Sequence, residues 1–187
     1  CTTNKFKTAG KIAGTFIDVI SKNGNFVLNL GPKADGTFCE EEMQILEKLS
    51  DWTTKNEEAI WGTQPYKLFG EGKNHGNSSF NEKYNYSHKD YRFTYKTGSI
   101  YIFALKPDRE TFKIKSLKYS GDMFAADIKN VEVLGYNQNL HYERNNRCLK
   151  IELDSPIETD MPLCFKVSID WWGVNMKKES YWWLPLH

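Results

Sequence analysis

The chain has 187 residues, of which 40% are hydrophobic, and its 25 basic and 24 acidic side chains leave a formal net charge of +1. That balance offers no electrostatic reason to bind nucleic acid or an anionic membrane. No apolar run approaches the roughly 20 residues needed to span a bilayer, and the length suits one large domain or two small ones.

The chain opens at Cys1, inside what reads as structured sequence, without an initiator Met or a signal peptide. It is therefore expected to be a piece of a longer protein. The first element in chain order is a helix. Ala9, Ile12, Ala13, Phe16, Ile17 and Ile20 recur at the spacing of one apolar helix face, and Asn23-Gly24 supplies a stop.

A strand is predicted over Phe26 to Leu30, and it is an unusual one. It holds a polar Asn29 and ends at Gly31-Pro32. A plain core strand has no need of that polar residue, whereas a strand opening onto a ligand pocket has. A second helix follows, signalled by Thr37 and Glu40 as a capping box, with Glu40, Glu41 and Glu42 in its first turn. Ile45, Leu49, Trp52 and Ala59 continue its buried face. The order helix, strand, helix is that of an α/β unit. Alone it buries too little and needs neighbouring strands that the chain does not contain.

Residues 65 to 90 are rich in Gly, Asn and Ser and read as a connecting loop. Two N-x-S sequons fall in it, at Asn77 and Asn85, and a secreted eukaryotic protein can carry glycans at such positions. From Tyr91 the period becomes two. "YRFTYKTGSIYIFAL" reads as a hairpin turning at Lys96-Thr97-Gly98-Ser99. Leu149, Ile151 and Leu153 alternate with polar residues, as do Leu163, Phe165, Val167 and Ile169. Further strands are predicted near 111–117, 126–134 and 140–142. About six to eight short strands in this half imply an antiparallel β-sandwich.

Cysteines at 1, 39, 148 and 164 fit no CxxC metal pattern. Cys148 and Cys164 fall on the outward parity of their strands, so the alternatives are a disulfide between them or two separate thiols. The four histidines, at 75, 88, 141 and 187, form no metal constellation, and "GEGKNHG" does not fit a phosphate-binding loop. No metal site and no cofactor are expected. The tail holds Trp171, Trp172, Trp182 and Trp183, either a sugar-stacking platform or an extension packed on a bare domain face.

Three segments in order, "DVISKNGNFVLNLGPKADGTF", "EEAIWGTQPYKLFGEG" and "YRFTYKTGSIYIFAL", resemble the α-L-fucosidases, retaining family-29 glycoside hydrolases. The likeness runs over roughly residues 5 to 170, leaving out the Trp-rich tail, and implies an α+β chain. Residues 1–64 would be the last helix-strand-helix of a (β/α)8-like barrel, 65–90 the connecting loop, 91–170 a C-terminal β-sandwich and 171–187 the tail. Barrel active sites lie at the C-terminal ends of the strands. Asn29, Gly31, Pro32 and Asp35 are thus expected to scaffold the substrate pocket, with Gly36 taking a positive φ in the turn.

By the same resemblance, the catalytic nucleophile, the acid/base and the pocket histidines lie upstream, so no residue here is expected to be catalytic. Asp170-Trp171-Trp172 is rejected as a nucleophile motif, and Asp18, beside the buried Ile17, is expected to form a salt bridge. The implied partners are a fucosylated glycan, the rest of the barrel and further copies in a homo-oligomer. Secretion, the periplasm or a lysosome fits better than the cytoplasm. Residues 1 to 64 are expected to be poorly ordered alone or completed by another chain.

A different reading is a non-catalytic carbohydrate-binding or interaction module, with Tyr136 and the four tail tryptophans as stacking candidates. A third is a sandwich that only packs on the barrel and helps copies assemble. A stand-alone binding module has no use for residues 5 to 60.

Overall fold

A computed structural model describes residues 6–74, 84–119 and 126–171. Helix α1 (Ala9–Ile20) begins where the Thr8 side chain accepts the Lys11 N–H. It buries Ala9, Ile12, Ala13 and Ile17. It ends as the sequence predicts: Asn23 adopts a left-handed conformation (φ 63°) and the Gly24 N–H closes back onto the Val19 carbonyl at 3.0 Å. Helix α2 (Glu40–Lys55) and the single turn α3 (Glu57–Ile60) follow.

Two expectations for this half need correction. Residues 26–30 form no ladder among the described residues, because a strand exists only through a pairing neighbour, and none lies beside them. The cap of α2 is also displaced. Cys39, not Thr37, is the N-cap, and its reciprocal partner is Glu42. Thr37 is engaged instead in the preceding turn, where its N–H and hydroxyl both donate to Asp35 Oδ1, at 2.9 and 2.7 Å.

The remaining chain is antiparallel sheet. One sheet has the order β1-β2-β3-β8-β5, from Gln64–Glu71, Tyr91–Lys96, Ser99–Ala104, Leu163–Trp171 and Ala126–Val133. The other has the order β4-β7-β6, from Thr111–Ile114, Leu149–Leu153 and Leu140–Arg144. The β2–β3 hairpin closes at Lys96 opposite Ser99, with Gly98 at φ 82°, as its sequence requires. Strand β1 corrects the reading of residue 65 onward as loop. Its pairing with β2 slips between Pro65 and Gly70, and that irregularity hides the strand from any period-two search.

The inner faces of the two sheets share one core. Phe112 of β4 meets Phe165 of β8 with ring centroids 4.8 Å apart, and Leu163, Val167 and Ile169 continue the β8 face as the alternation predicts. The five-stranded sheet is buried on its other face too. There Tyr101, Phe103 and Cys164 pack against Ala13, Ile17 and Trp52. Cys164, expected to face outward, is fully buried because the helices cover that face, and Cys39, Cys148 and Cys164 are free thiols.

Polar bonds stitch the helical layer to the sheet. The Trp52 indole N–H donates to the Pro162 carbonyl at 2.7 Å and the Thr94 hydroxyl to the Ala59 carbonyl at 2.8 Å. Lys166 pairs with Glu58 at 2.9 Å. Helix α1 sits so close that a Cβ on Gly10 would lie 2.0 Å from the Asp160 carbonyl oxygen. No helix among the described residues is long and apolar enough to cross a membrane.

Candidate functional site

The segment between α1 and α2 carries the residues expected to scaffold a pocket. Asn29, Gly31, Pro32 and Asp35 are all exposed along it. Its two ends are held differently. Near α1, Phe26 packs on Phe16 with centroids 5.6 Å apart. Phe26 and Leu28 then border a groove of about 370 Å³ whose other wall includes Ile12, Leu46 and Leu49. Val27, on the opposite parity, is 88% exposed.

At the α2 end one carboxylate organises the backbone. Glu42 accepts the Gly31 N–H at 3.0 Å through Oε1 and the Cys39 N–H at 3.4 Å through Oε2. The Gly31 bond holds its carboxyl below the usual range, with the Cys39 groups adding to the effect. Between these anchors the chain turns on itself. Lys33 N–H donates to the Thr37 carbonyl, Gly36 N–H donates to the Lys33 carbonyl, and Gly36 takes φ 82°. The Asp35 carboxyl is lowered by the Thr37 hydroxyl and N–H, so it is occupied in shaping this turn. The structure thus places Asp35 in an exposed turn closed between Lys33 and Thr37, with Asn29, Gly31 and Pro32 exposed just before it.

The buried carboxylates all hold protein groups. Asp18 pairs with Arg92 at 2.5 Å and with Lys22 at 2.9 Å, the salt bridge expected from its helical position. Asp90 accepts the Ser87 N–H and hydroxyl, each at 2.7 Å, and the Asn74 N–H at 3.1 Å. None of these three, counting Glu42, faces an open pocket as a free acid. Asp170, the rejected motif residue, is exposed and pairs with Lys129 at 2.9 Å. No cluster of metal-ligating side chains occurs among the described residues.

Sequence reasoning missed Arg92 and Glu42. The Arg-Phe-Thr stretch reads only as alternating strand, and Glu42 reads as one of three first-turn acids. Of the stacking candidates, Tyr136 is packed against the sheet core with Lys55 over its ring. Trp172, Trp182, Trp183 and the Trp171 side chain lie outside the described residues, as does the Asn77 sequon.

A family model described as Alpha-L-fucosidase matches residues 1–58. Over 63 residues the chain is 27% identical to an alpha-L-fucosidase of Dictyostelium discoideum, covering 34% of this chain and 14% of that protein. Over 58 residues it is 31% identical to the tissue alpha-L-fucosidase of Macaca fascicularis, covering 31% of this chain and 12% of that one. Among solved structures it resembles alpha-L-fucosidase isoenzyme 1 from Paenibacillus thiaminolyticus, with TM-score 0.66 and 17% identity over 88% of this chain and 35% of that chain. It also resembles Thermotoga maritima alpha-fucosidase, with TM-score 0.63 and 23% identity over 89% of this chain and 36% of that one. These structural likenesses establish the fold. The chain spans about a third of the solved chains it matches.

Proposed function

From the alpha-L-fucosidase matches over 58 to 63 residues we propose that the chain is the C-terminal part of a retaining exo-glycosidase acting on terminal α-L-fucosyl linkages. One observation carries the reading. The family match over residues 1–58 falls on α1, the intervening segment and α2, and the structural likeness continues through both sheets. In this reading α1, residues 26–30 and α2 are the last helix-strand-helix of a (β/α)8-like barrel. The two sheets form the β-sandwich that follows, and β1 moves its start back to Gln64.

Retaining hydrolysis needs two carboxylates roughly 5–5.5 Å apart, one as nucleophile and one as acid/base. The resemblance implies that both lie in the part of the parent preceding this chain; here the buried Asp18, Glu42 and Asp90 are each bonded to protein groups. This chain contributes scaffold. The segment through Asn29, Gly31 and Pro32 and the turn at Asp35 shape the pocket rim, and Glu42 fixes Gly31 to α2. The reaction calls for no cofactor. The partners are a fucosylated glycan and the rest of the barrel, which would cover Val27 and Leu28, and the parent works outside the cytoplasm.

The test is hydrolysis of a chromogenic α-L-fucoside by the 187-residue chain and by its full-length parent. Activity in the parent alone is the expected result. Activity in this chain that is lost on mutating one of its carboxylates would overturn the assignment of catalysis upstream. Silence in both would overturn the enzymatic reading.

A further inference from the structure

The loop that leads into β2 carries a feature unrelated to hydrolysis. Residues 84–87 run against α1 without joining either sheet, and burial alternates along them. Tyr84 and Tyr86 are half-buried, whereas Asn85 between them is exposed. Lys11 of α1 donates to the Tyr84 carbonyl and lies over the Tyr86 ring, 5.2 Å from its centroid. Tyr86 also reaches α1 at Gly14 and stacks with Arg92 at 5.7 Å. The loop is thus pinned on the side of its two tyrosines, and the opposite side presents Asn85.

Asn85-Tyr86-Ser87 is an N-x-S sequon. The Asn85 main-chain carbonyl is bonded by the Asn74 side-chain amide at 3.1 Å, and Asn85 is exposed. We infer that Asn85 is an acceptor for an N-linked oligosaccharide when the chain passes through a eukaryotic secretory pathway. The donor is an oligosaccharide on a polyprenyl diphosphate. Asn85 Nδ2 forms a bond to the anomeric carbon, the bond from that carbon to the diphosphate oxygen breaks, and the diphosphate leaves with the electron pair. The amide gives up one proton, and nothing is oxidised or reduced.

The fold also sets the order of events. In the folded loop the Ser87 hydroxyl donates to the buried Asp90 at 2.7 Å, so the sequon hydroxyl is already engaged. Transfer must precede closure of this loop, and the finished glycan then projects away from α1 without disturbing the tyrosine contacts. The inference is independent of the proposed enzymatic activity.

The experiment is expression of the full chain behind a secretion signal in a eukaryotic cell line. Intact mass and peptide mapping are read before and after enzymatic glycan release. Wild type should lose mass on release and show Asp at position 85 in the released peptide. Asn85→Gln should lose that glycan while remaining folded and secreted, Asn77→Gln should keep it, and Ser87→Thr should retain both glycan and fold. A wild-type Asn85 peptide found only unmodified in secreted protein would overturn the inference, as would a glycan unaffected by Asn85→Gln.

Discussion

Arg92 in β2 and Asp18 in α1, 74 residues apart, form an ion pair at 2.5 Å in which each side chain is 1% exposed or less. Charges removed from water in this way are tolerated only when their remaining groups are bonded. Here they are. Arg92 also donates to the Tyr91 and Asn74 carbonyls, and its guanidinium lies near the Phe69 and Tyr86 rings, while Asp18 takes a second cation in Lys22. The pair joins the helical layer, the sheet and the loop before β2 at one point.

Asp18→Asn should therefore leave a buried guanidinium uncompensated and lower stability by about 3–5 kcal/mol. Urea unfolding followed by tryptophan fluorescence reads this directly. A loss below about 1 kcal/mol, the range of an exposed pair, would mean the pair is hydrated.

Glu42 makes stability depend on pH. Its folded carboxyl ionises more readily than the ordinary 4.5 because the Gly31 N–H bonds the charged form. The folded state then binds fewer protons than the unfolded state. Stability from this group is present above the unfolded value and is lost as pH falls through the folded one. The gap in urea midpoint between wild type and Glu42→Gln should be full near about pH 6 and shrink toward about pH 3. A gap that stays constant across that range would remove the charge from the explanation.

Gly10→Ala should destabilise by about 1–3 kcal/mol, because the new Cβ would press on backbone at Asp160 rather than on a side chain that can move. Gly14→Ala meets only the Tyr86 ring, at 3.2 Å, and should cost less. Thermal melts of the two variants settle the order.

Thiol reactivity should follow burial. Burial pushes the Cys164 thiol well above its usual range, and desolvation raises Cys39, whereas Cys148 is half-buried. Brief alkylation of the native chain, mapped by mass spectrometry, should label Cys148 and leave Cys39 and Cys164 unmodified. Denaturant should expose all three.

Amide exchange tests the proposed barrel. In this chain Phe26 to Leu30 should exchange quickly and Ile100 to Ala104, central in the sheet, slowly. In the full-length parent both segments should be protected. Equal protection of Phe26 to Leu30 in the two proteins would argue against a missing neighbour strand.

Local signals were legible wherever periodicity or backbone chemistry acts alone. The α1 face, the Asn23 stop, the turn at Gly98 and the alternation of β7 and β8 follow from residue spacing and from which residues accept a positive φ. Asn29 and the Gly31-Pro32 stop stood out as interruptions of an apolar run, whereas a pocket-scaffold role for Asn29, Gly31, Pro32 and Asp35 was implied only by the resemblance. The cap of α2 shows the limit of this. Thr37 and Cys39 both precede an acidic turn, and the choice between them depended on where Asp35 and Gly31 lie.

What only the tertiary structure decided shares one cause: a partner distant in sequence. Phe26 to Leu30 has strand composition, yet a ladder needs a neighbour that the described residues do not supply. Gln64 to Glu71 reads as loop and becomes a strand because β2 is there to pair with it. Cys164 follows outward parity and is buried because helices cover that face. Arg92 is an ordinary strand residue until the fold sets Asp18 against it. By itself the sequence determined element types and turns, since these depend on near neighbours and short motifs. Tertiary packing decided which faces are buried and which charges meet, because burial and Coulomb energy depend on distance in space.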